Sequence, residues 1–336
     1  MKIVFAHFNS KLPKHLILNL KRTISLFPSH EVHLITDQDL TKVKINNLSV
    51  SKYHPSDNWN NLEKRIQHPK FFRNNFWFTS LARFIAIAEF VKIHDEEIIH
   101  IESDVIISDD FPFKIFSKLN VDFSFAIVNS EQAIASCLFI GNSRAADELI
   151  RITLESAIEN NLTTDMYILK KIANSEMTKF QLLPSSISSE YTLDKANMEF
   201  LADTKEALLR YSGIFDGVDI GLYLFGEDPR NNRGFSTLRS RKYVNYLNVR
   251  KLNFVIRFNR EFPYVLDLEN GIPIPVYSLH IHSKKPSLFK SSRTRKIISK
   301  SVKNAEKRPI TIFSPIKFIW SVKNSLIRRV ISYKSQ

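Results

Sequence analysis

The sequence predicts an α/β fold in which a mostly parallel sheet is flanked by helices, with a basic helical tail at the C-terminus. The chain opens with an apolar strand at 2–8, an amphipathic helix at 14–27 and a second apolar strand at 31–36. This order is typical of two parallel strands joined by a right-handed crossover. Further along, a strongly apolar helix at 75–92 leads into an apolar run at 98–106, which predicts a third strand.

Polar residues follow the first two strands where each strand ends. His7 lies near the end of the opening strand (KIVFAHF), Asn9 follows it, and Asp37 follows the second strand. Ligands of open α/β sheets bind beyond the carboxyl ends of the parallel strands. We therefore expect Asn9 and Asp37 to lie at that edge, together with Glu102 and Asp104 of the third strand.

Two carboxylates interrupt the apolar run at 98–106 (IIHIESDVI). Glu102 and Asp104 are separated by one residue, and side chains at that spacing on a strand point to the same face. Lone carboxylates are costly inside an apolar strand, so the pair is expected at a strand end. There the two acids either seat a hard divalent cation or face solvent, and the run alone favours neither alternative.

Arg83 stands alone among apolar residues near the middle of the helix at 75–92. One interpretation is that its side chain snorkels to the surface. The other is that its forked donors pair with a carboxylate or a phosphate at the site edge. The acidic strand that comes next favours the second interpretation.

The remaining elements follow from composition and spacing. Residues 45–70 are polar and predict a loop region with a short helix, and 108–112 predicts a turn. Two strands and then two helices are predicted at 121–128, 134–140, 144–160 and 164–173. Asp165 begins the last of these helices, where an acid is also favoured as a cap or by the helix dipole.

Glycine is rare in this chain except in one segment. Five of the seven glycines lie within 211–234, at positions 213, 217, 221, 226 and 234, together with Asp216 and Asp219. Such density marks a close approach of the backbone to packed chain or to a ligand. A last strand is predicted at 274–286 (IPVYSLHIHSKKP), with His280 and His282 on one face; Lys284 and Lys285 follow.

The net charge of +14 comes entirely from the C-terminal part of the chain. Fifteen of the 48 basic residues and one of the 34 acidic residues lie from Lys284 onward, so residues 1–283 hold 33 of each sign. This predicts a body at 1–283 and a basic tail at 284–336. Nucleic acid is not expected as a partner, because the tail alone would have to bind it.

The tail contains a segment at 310–333 that mixes aliphatic and aromatic residues with Lys and Arg. This pattern favours association with an anionic membrane surface, and the alternative is a helix that packs its apolar stripe on the body. We expect no secretory leader and no membrane span. The single cysteine, Cys137, excludes an intrachain disulfide. These features predict a cytoplasmic protein, peripheral at the inner face of the cytoplasmic membrane.

Four of these stretches together resemble the GT-A fold of nucleotide-sugar glycosyltransferases. They are the opening α/β unit, the Arg-bearing helix SLARFIAIAEF leading into an acidic triplet like the DxD motif of that family, the stretch ASCLFIGN and the strand LHIHSK. The stretches TTDMYIL and IFDGVDIGLYLFGEDPRN also resemble bacterial enzymes of surface-polysaccharide assembly. The resemblance covers about residues 1–285, and it lies in the order and spacing of the motifs more than in any one of them.

The resemblance implies metal-dependent transfer of a sugar from a UDP-linked donor to a glycan or lipid-linked acceptor. Mn²⁺ or Mg²⁺ would be held by Asp104 with His282 or His280, and an imidazole ligand favours Mn²⁺. Contacts to the donor are expected from His7, Asn9, Asp37, Arg83, Glu102, Ser103, Lys284 and Lys285. The candidates for a general base, or for positioning the reacting sugar, are Asp165, Asp216 and Asp219.

Two features depart from the family pattern. The first acid of the triplet is Glu102 rather than Asp, so Asp104 is the stronger candidate for direct metal ligation. The histidine strand lacks the Gly and Trp of some relatives, which leaves both His280 and His282 as candidates. The neighbouring Ser283 and Lys284 favour His282.

Two other functions use the same residues. A metal-dependent phosphohydrolase could employ the same acids, but the Asp-x-Asp phosphatases carry a nucleophilic Asp near the N-terminal strand, and FAHF at 5–8 offers none. A non-catalytic binding protein with a GT-A-like fold is the other alternative. Metal-dependent binding of UDP separates these hypotheses.

Overall fold

The computed structural model describes residues 1–40, 43–68, 70, 75–128, 131–187, 199–226, 228, 249, 252–257, 260–267 and 271–306. Its strands are β1 (Lys2–His7), β2 (Val32–Thr36), β3 (Leu48–Lys52), β4 (Ile98–Ile101), β5 (Val105–Ile107), β6 (Phe123–Ile127), β7 (Ala133–Ile140), β8 (Phe180–Leu182), β9 (Ile214–Phe215), β10 (Asn253–Val255), β11 (Tyr264–Leu266) and β12 (Pro273–His280). Its helices are α1 (Lys14–Leu26), α2 (Asp57–Arg65), α3 (Phe76–His94), α4 (Phe113–Phe116), α5 (Ser143–Glu159), α6 (Asp165–Ala173), α7 (Glu199–Tyr211), α8 (Asp219–Phe225) and α9 (Ser291–Glu306), and a 3-10 helix covers Pro286–Phe289.

Seven strands form a sheet in the order β3-β2-β1-β4-β7-β6-β8. The four strands from β3 to β4 run parallel to one another. β7 is antiparallel to both β4 and β6, and β8 is parallel to β6. The predicted α/β fold with a mostly parallel sheet is therefore confirmed.

The two faces of this sheet pack against different helices. Val4 of β1 belongs to a core that it shares with α3, α5 and α6, whereas its neighbours Ile3 and Phe5 belong to a core shared with α1. This alternation follows from the two-residue period of side chains along a strand. α3 is apolar over most of its surface because it contacts β1, α2, α5 and α6.

A second, smaller sheet has the order β10-β11-β12-β5, and β9 pairs with β12. β12 is antiparallel to both β5 and β11. The core beside this second sheet includes Ile106, Val276 and Leu279, together with Phe289 from the segment that follows the last strand. Two strands that follow each other within ten residues belong to different sheets, β4 to the first and β5 to the second.

Three of the differences between the structure and the sequence-based expectation concern strands. The apolar run at 98–106 forms two strands in different sheets rather than one strand. β3 lies in a region expected to be loop, because this half-exposed edge strand (LSVSK) lacks an apolar signature. The last strand ends at His280 instead of continuing to 286, so His282 follows the strand.

The change in charge at residue 284 does not coincide with a break in packing. Leu288 and Phe289 are buried where the 3-10 helix contacts α1, and Ile298 and Val302 are buried where α9 contacts α8. The basic segment up to residue 306 thus packs on the body. The predicted amphipathic segment at 310–333 lies outside the described residues, as does Gly234.

No helix in the part of the chain that the structure describes has the length and apolar character needed to cross a membrane.

The glycine-rich segment brings α8 directly against β12. A Cβ atom added to Gly221 would lie 1.9 Å from the carbonyl oxygen of His280. One added to Gly213 would lie 2.2 Å from the ring of Tyr277. At Gly217, by contrast, the nearest atoms are side-chain methyl carbons at 3.4 Å. The close approach predicted for this segment is therefore an approach to packed chain.

Gly221→Ala is expected to destabilise the protein. The collision with the backbone of β12 outweighs the gain of about 1 kcal/mol in helix propensity, so we expect a net loss of about 2 kcal/mol in the free energy of unfolding. Urea denaturation measures this loss. The matched control is Gly217→Ala, for which the change should stay below about 1 kcal/mol. Equal stability of the two variants would contradict the packing described for α8.

Candidate active site

The acidic triplet lies where the chain passes from one sheet to the other. β4 ends at Ile101 beside β7, and β5 begins at Val105 and pairs with β12. The amide of Val105 donates to the carbonyl of Glu102 at 3.0 Å and closes a turn. Glu102 and Asp104 therefore lie at the carboxyl end of β4, outside both strands, as the sequence predicts.

A buried asparagine of α1 holds this turn. Asn19 is 1% exposed, and its Nδ2 donates to the carbonyls of Ser103 at 3.2 Å and Val105 at 2.7 Å. One helical turn later, the buried Arg22 donates to a carbonyl of β5 at 2.9 Å. Sequence reasoning missed both residues. The available signal was the presence of two polar residues on the inward stripe of an amphipathic helix.

Strand pairing brings a histidine to the two acids. β12 is antiparallel to β5, with His280 opposite Val105. The Nδ1–H of His280 donates to the carbonyl of Gly217 at 2.7 Å, so Nε2 is the nitrogen that faces the acids. Nε2 lies 3.5 Å from Oδ2 of Asp104 and 3.7 Å from Oε2 of Glu102.

The side chains of Glu102, Asp104 and His280 form a group whose ligand atoms all lie within 4.8 Å of one another. Two carboxylate oxygens and an imidazole nitrogen are suitable donors for a divalent cation, and the imidazole favours Mn²⁺ over Mg²⁺. The hydrogen bond from Nδ1 orients the ring and leaves Nε2 as the nitrogen available to an ion. The residues present therefore fit the metal that the sequence leads us to expect.

Two cations accompany the acids. Nζ of Lys284 donates to Oδ2 of Asp104 at 2.5 Å. Arg83 donates from Nη1 to Oε1 of Glu102 at 2.6 Å and from Nη2 to Oδ2 of Asp165 at 3.1 Å. The side chain of Arg83 is only 13% exposed. Of its two interpretations, the structure thus shows pairing with carboxylates rather than snorkelling.

The neighbouring charges shift the pKa values of this cluster. Burial alone would raise the pKa of Asp104, but Lys284 and His280 outweigh it and hold that pKa well below its usual range. Burial alone would lower the pKa of His280, but Asp104 and Glu102 outweigh it and raise that pKa to about 9. Without a bound metal, the imidazole is therefore protonated at neutral pH.

The cluster is formally neutral. Its three carboxylates and three cations are Glu102, Asp104 and Asp165 against Arg83, Lys284 and His280. A buried group of acids requires such compensation, because removing one partner would leave an unpaired charge in a site of low dielectric.

His282 lies next to this group rather than in it. The chain turns after β12, and the ring of His282 stacks on that of His280 with centroids 4.0 Å apart and an angle of 19° between planes. Burial and the adjacent His280 lower the pKa of His282 to about 3. Of the two histidines, the structure places His280 with the acids, although the sequence favours His282. The preference rested on the neighbouring Ser283 and Lys284, but the strand ends at His280 and places that ring beside the acids.

The carboxylate of Asp216 binds the backbone around His280. Its carboxylate accepts hydrogen bonds from the amides of Ile220 at 2.9 Å, Gly221 at 2.7 Å and His280 at 2.9 Å. Burial raises the pKa of Asp216, although these hydrogen bonds act to lower it. Asp219 is also buried and is the first residue of α8. The structure thus gives Asp216 a direct part in holding β12 against α8.

A cleft of about 270 Å³ opens beside the cluster. Its walls come from the end of β1, one face of α3 and the acidic turn, and the polar side chains that line it include His7, Asn9, Thr79, Arg83, Ser103 and Lys284. The amide of Asn9 donates to Oδ2 of Asp37 at 3.0 Å, so the ends of β1 and β2 meet as the sequence predicts.

Two other expected donor contacts, His7 and Lys285, lie outside the charged cluster. Nε2 of His7 lies 3.1 Å from the carbonyl of Ser10, and burial lowers the pKa of His7. The side chain of Lys285 is exposed beside Lys284. The structure thus brings Arg83, Glu102, Asp104, Asp165, His280 and Lys284 into one cluster and leaves the remaining predicted residues around it.

No family model and no curated protein sequence matches this chain. Among solved structures, it is similar to the galactosyltransferase LgtC in complex with donor and acceptor sugar analogues, at 13% identity over 63% of this chain and 82% of that one, with a TM-score of 0.42. It is also similar to the apo form of the glycosyltransferase GlyE from Streptococcus pneumoniae TIGR4, at 13% identity over 53% and 44% of the two chains and a TM-score of 0.37. A third similar structure is mouse xyloside xylosyltransferase 1, at 9% identity over 55% and 84% and a TM-score of 0.37. Such values are too low to transfer a function, so the side chains of the site must decide it.

Arg83→Met should be strongly destabilising, because it leaves the carboxylates of Glu102 and Asp165 without their buried partner. We expect a loss of about 3–5 kcal/mol in the free energy of unfolding, measured by denaturant titration. Arg151→Met is the matched control, since Arg151 also pairs with two carboxylates but is 48% exposed. That variant should lose less than about 1 kcal/mol. Similar losses in both variants would contradict the role given to Arg83.

Proposed function

We propose that this chain is a metal-dependent glycosyltransferase. It would move a sugar from a nucleotide-diphosphate donor, with UDP as the expected nucleotide, to a glycan or lipid-linked acceptor in surface-polysaccharide assembly. One observation carries the proposal. Two carboxylates, a histidine and two cations converge at the carboxyl edge of a mostly parallel sheet, next to an open cleft. This set suits a diphosphate and the metal that accompanies it.

The metal would be held by Glu102, Asp104 and His280, and Mn²⁺ suits this set better than Mg²⁺. When bound, it supplies positive charge that stabilises a departing nucleotide diphosphate. Lys284 lines the cleft and ends in a compact ammonium group, so it is the residue proposed to donate to phosphate oxygens. Lys285, exposed beside it, is proposed to add positive charge at the mouth of the cleft.

The nucleotide part of the donor is proposed to lie along the ends of β1 and β2. Asn9 and Asp37 are already joined by a hydrogen bond there, and His7 and Ser103 line the same cleft. Burial lowers the pKa of His7, so its ring is neutral and can donate or accept one hydrogen bond. These groups offer hydrogen-bond donors and acceptors of the kind that a base and a ribose require.

Asp165 is the proposed group for accepting a proton or positioning the reacting sugar. Asp165 joins the cluster through an ion pair with Arg83 at 3.1 Å. Burial raises the pKa of Asp165, which strengthens it as a base. Asp216 is proposed to act indirectly, because its oxygens already accept three backbone hydrogen bonds. Asp219 stays a third candidate.

Metal-dependent nucleotide binding tests this proposal. In isothermal titration, wild-type protein should bind UDP at least about tenfold more tightly with Mn²⁺ than without it, and Asp104→Ala should remove the metal effect. The matched control is Asp109→Ala, which removes an exposed acid a few residues away and should bind like wild type.

No binding of UDP or of any other nucleoside diphosphate would overturn the proposal. Binding together with release of inorganic phosphate from UDP would favour the phosphohydrolase alternative, and binding without turnover of any nucleotide sugar would favour a non-catalytic protein. A panel of nucleotide sugars, assayed by donor hydrolysis, identifies the sugar in the remaining case.

The basic tail is proposed to hold the protein at the cytoplasmic face of an anionic membrane, where a lipid-linked acceptor would be found. The cut that tests this has to fall after Glu306, because Leu288, Phe289 and Ile298 are buried in the body. The full chain should sediment with phosphatidylglycerol vesicles and not with pure phosphatidylcholine vesicles, whereas the chain ending at Glu306 should lose at least about half of that binding. Equal sedimentation of both chains would contradict this role.

A further inference from the structure

The ammonium group of Lys284 contacts the carboxylate oxygen of Asp104 that the proposed metal would bind. Its Nζ is 2.5 Å from Oδ2 of Asp104, and the same Oδ2 lies 3.5 Å from Nε2 of His280. An ammonium group and the proposed metal would therefore have to share one carboxylate oxygen. Like charges at such close range repel strongly when the site is shielded from water.

The backbone that carries Lys284 is fixed beside the acids. The amide of Ile281 donates to the carbonyl of Asp104 at 2.7 Å, and the amide of Lys284 donates to the carbonyl of Ile281 at 2.8 Å. Lys284 also adopts a left-handed backbone conformation, with φ of 50°, which closes this tight turn. The position of its Cα is thus set by the turn, independently of what its side chain contacts.

The side chain of Lys284 is less constrained than its backbone. It is 28% exposed, it lines the cleft, and its four-carbon stem ends in an ammonium group that donates to Asp104. The other cation of the cluster is different. Arg83 is 13% exposed and is tied to two carboxylates at once through its rigid fork. Of these two cations, Lys284 is the one that can leave its partner without a change of backbone.

We propose that Lys284 acts as an internal counter-ion that closes the metal-free site and passes to the donor when metal binds. In the metal-free site the ammonium of Lys284 neutralises Asp104. When a divalent cation takes the place of this ammonium on Asp104, the ammonium pairs with the diphosphate in the cleft instead. Metal and nucleotide consequently bind cooperatively, because each stabilises the arrangement that the other needs. This inference rests on the proposed metal and nucleotide-diphosphate site and adds how its two ligands are coupled.

Removing the ammonium tests this coupling. Lys284→Gln should bind Mn²⁺ about five- to tenfold more tightly than wild type when no nucleotide is present, because the ion no longer has to displace a cation. The same variant should bind UDP about tenfold more weakly in saturating Mn²⁺, because the diphosphate has lost a donor. Electron paramagnetic resonance of free Mn²⁺ and isothermal titration with UDP measure the two affinities.

Two further variants make the result specific. Lys284→Arg keeps the positive charge, so its affinity for Mn²⁺ alone should stay close to that of wild type. Lys296→Gln removes an exposed lysine of α9 and should change neither affinity. Should the Gln variant fail to fold, Lys284→Met removes the same charge while keeping an unbranched stem, and it repeats the comparison.

The outcomes separate this inference from the proposed function. If wild type binds both Mn²⁺ and UDP but the neutral variants bind Mn²⁺ no more tightly than wild type, the counter-ion role is wrong and the proposed function stands. If wild type binds no Mn²⁺ either with or without UDP, the counter-ion role and the proposed function are both wrong. Tighter Mn²⁺ binding with weaker UDP binding supports the exchange, since a merely structural lysine would not strengthen one ligand while weakening the other.

Discussion

The burial of two carboxylates at the junction of two sheets is the constraint on which the rest of the site depends. Glu102 and Asp104 lie in a short turn between strands that belong to different sheets, and neither is left without a cationic neighbour. Burying a carboxylate without a partner would cost several kcal/mol or force it to take up a proton. The compensating charges therefore arrive from distant parts of the chain: Arg83 from α3, His280 from β12 and Lys284 from the turn that follows.

A set of polar backbone contacts then fixes these groups in place. Asn19 holds the acidic turn from one side, and Asp216 holds the backbone of His280 from the other. The close contact of Gly221 with β12 keeps α8 near enough for Asp216 to reach three amides. The site thus combines side chains that carry charge with surrounding residues, Asn19 and Asp216, whose side chains hydrogen-bond to the backbone and keep the charged groups oriented.

Local sequence patterns were enough for the α/β class and for the residue types of the site, but not for the edge strands β3 and β8 or for the geometry of the site. The apolar run around Glu102 and Asp104 predicts strand and strand end correctly. It does not show that the run divides between two sheets, because that division depends on pairing with β12, far along the chain. The sequence could not place His280 rather than His282 beside the acids for the same reason, since that placement depends on where β12 ends. The polar Asn19 on the inward stripe of α1 was the available signal, but its partners are backbone carbonyls, which the sequence does not identify.

The division of the apolar run between two sheets has a consequence for how the chain folds during synthesis. β1, β2 and β4 pair with one another within the first third of the chain, whereas β5 has to wait for β12. Chains grow from the N-terminus at about 5–20 residues per second, so many seconds pass between the two events. Throughout that interval Asp104 lacks both His280 and Lys284. We therefore expect the acidic turn to become ordered only after β12 and Lys284 have been synthesised, so the proposed metal site forms later than the first sheet.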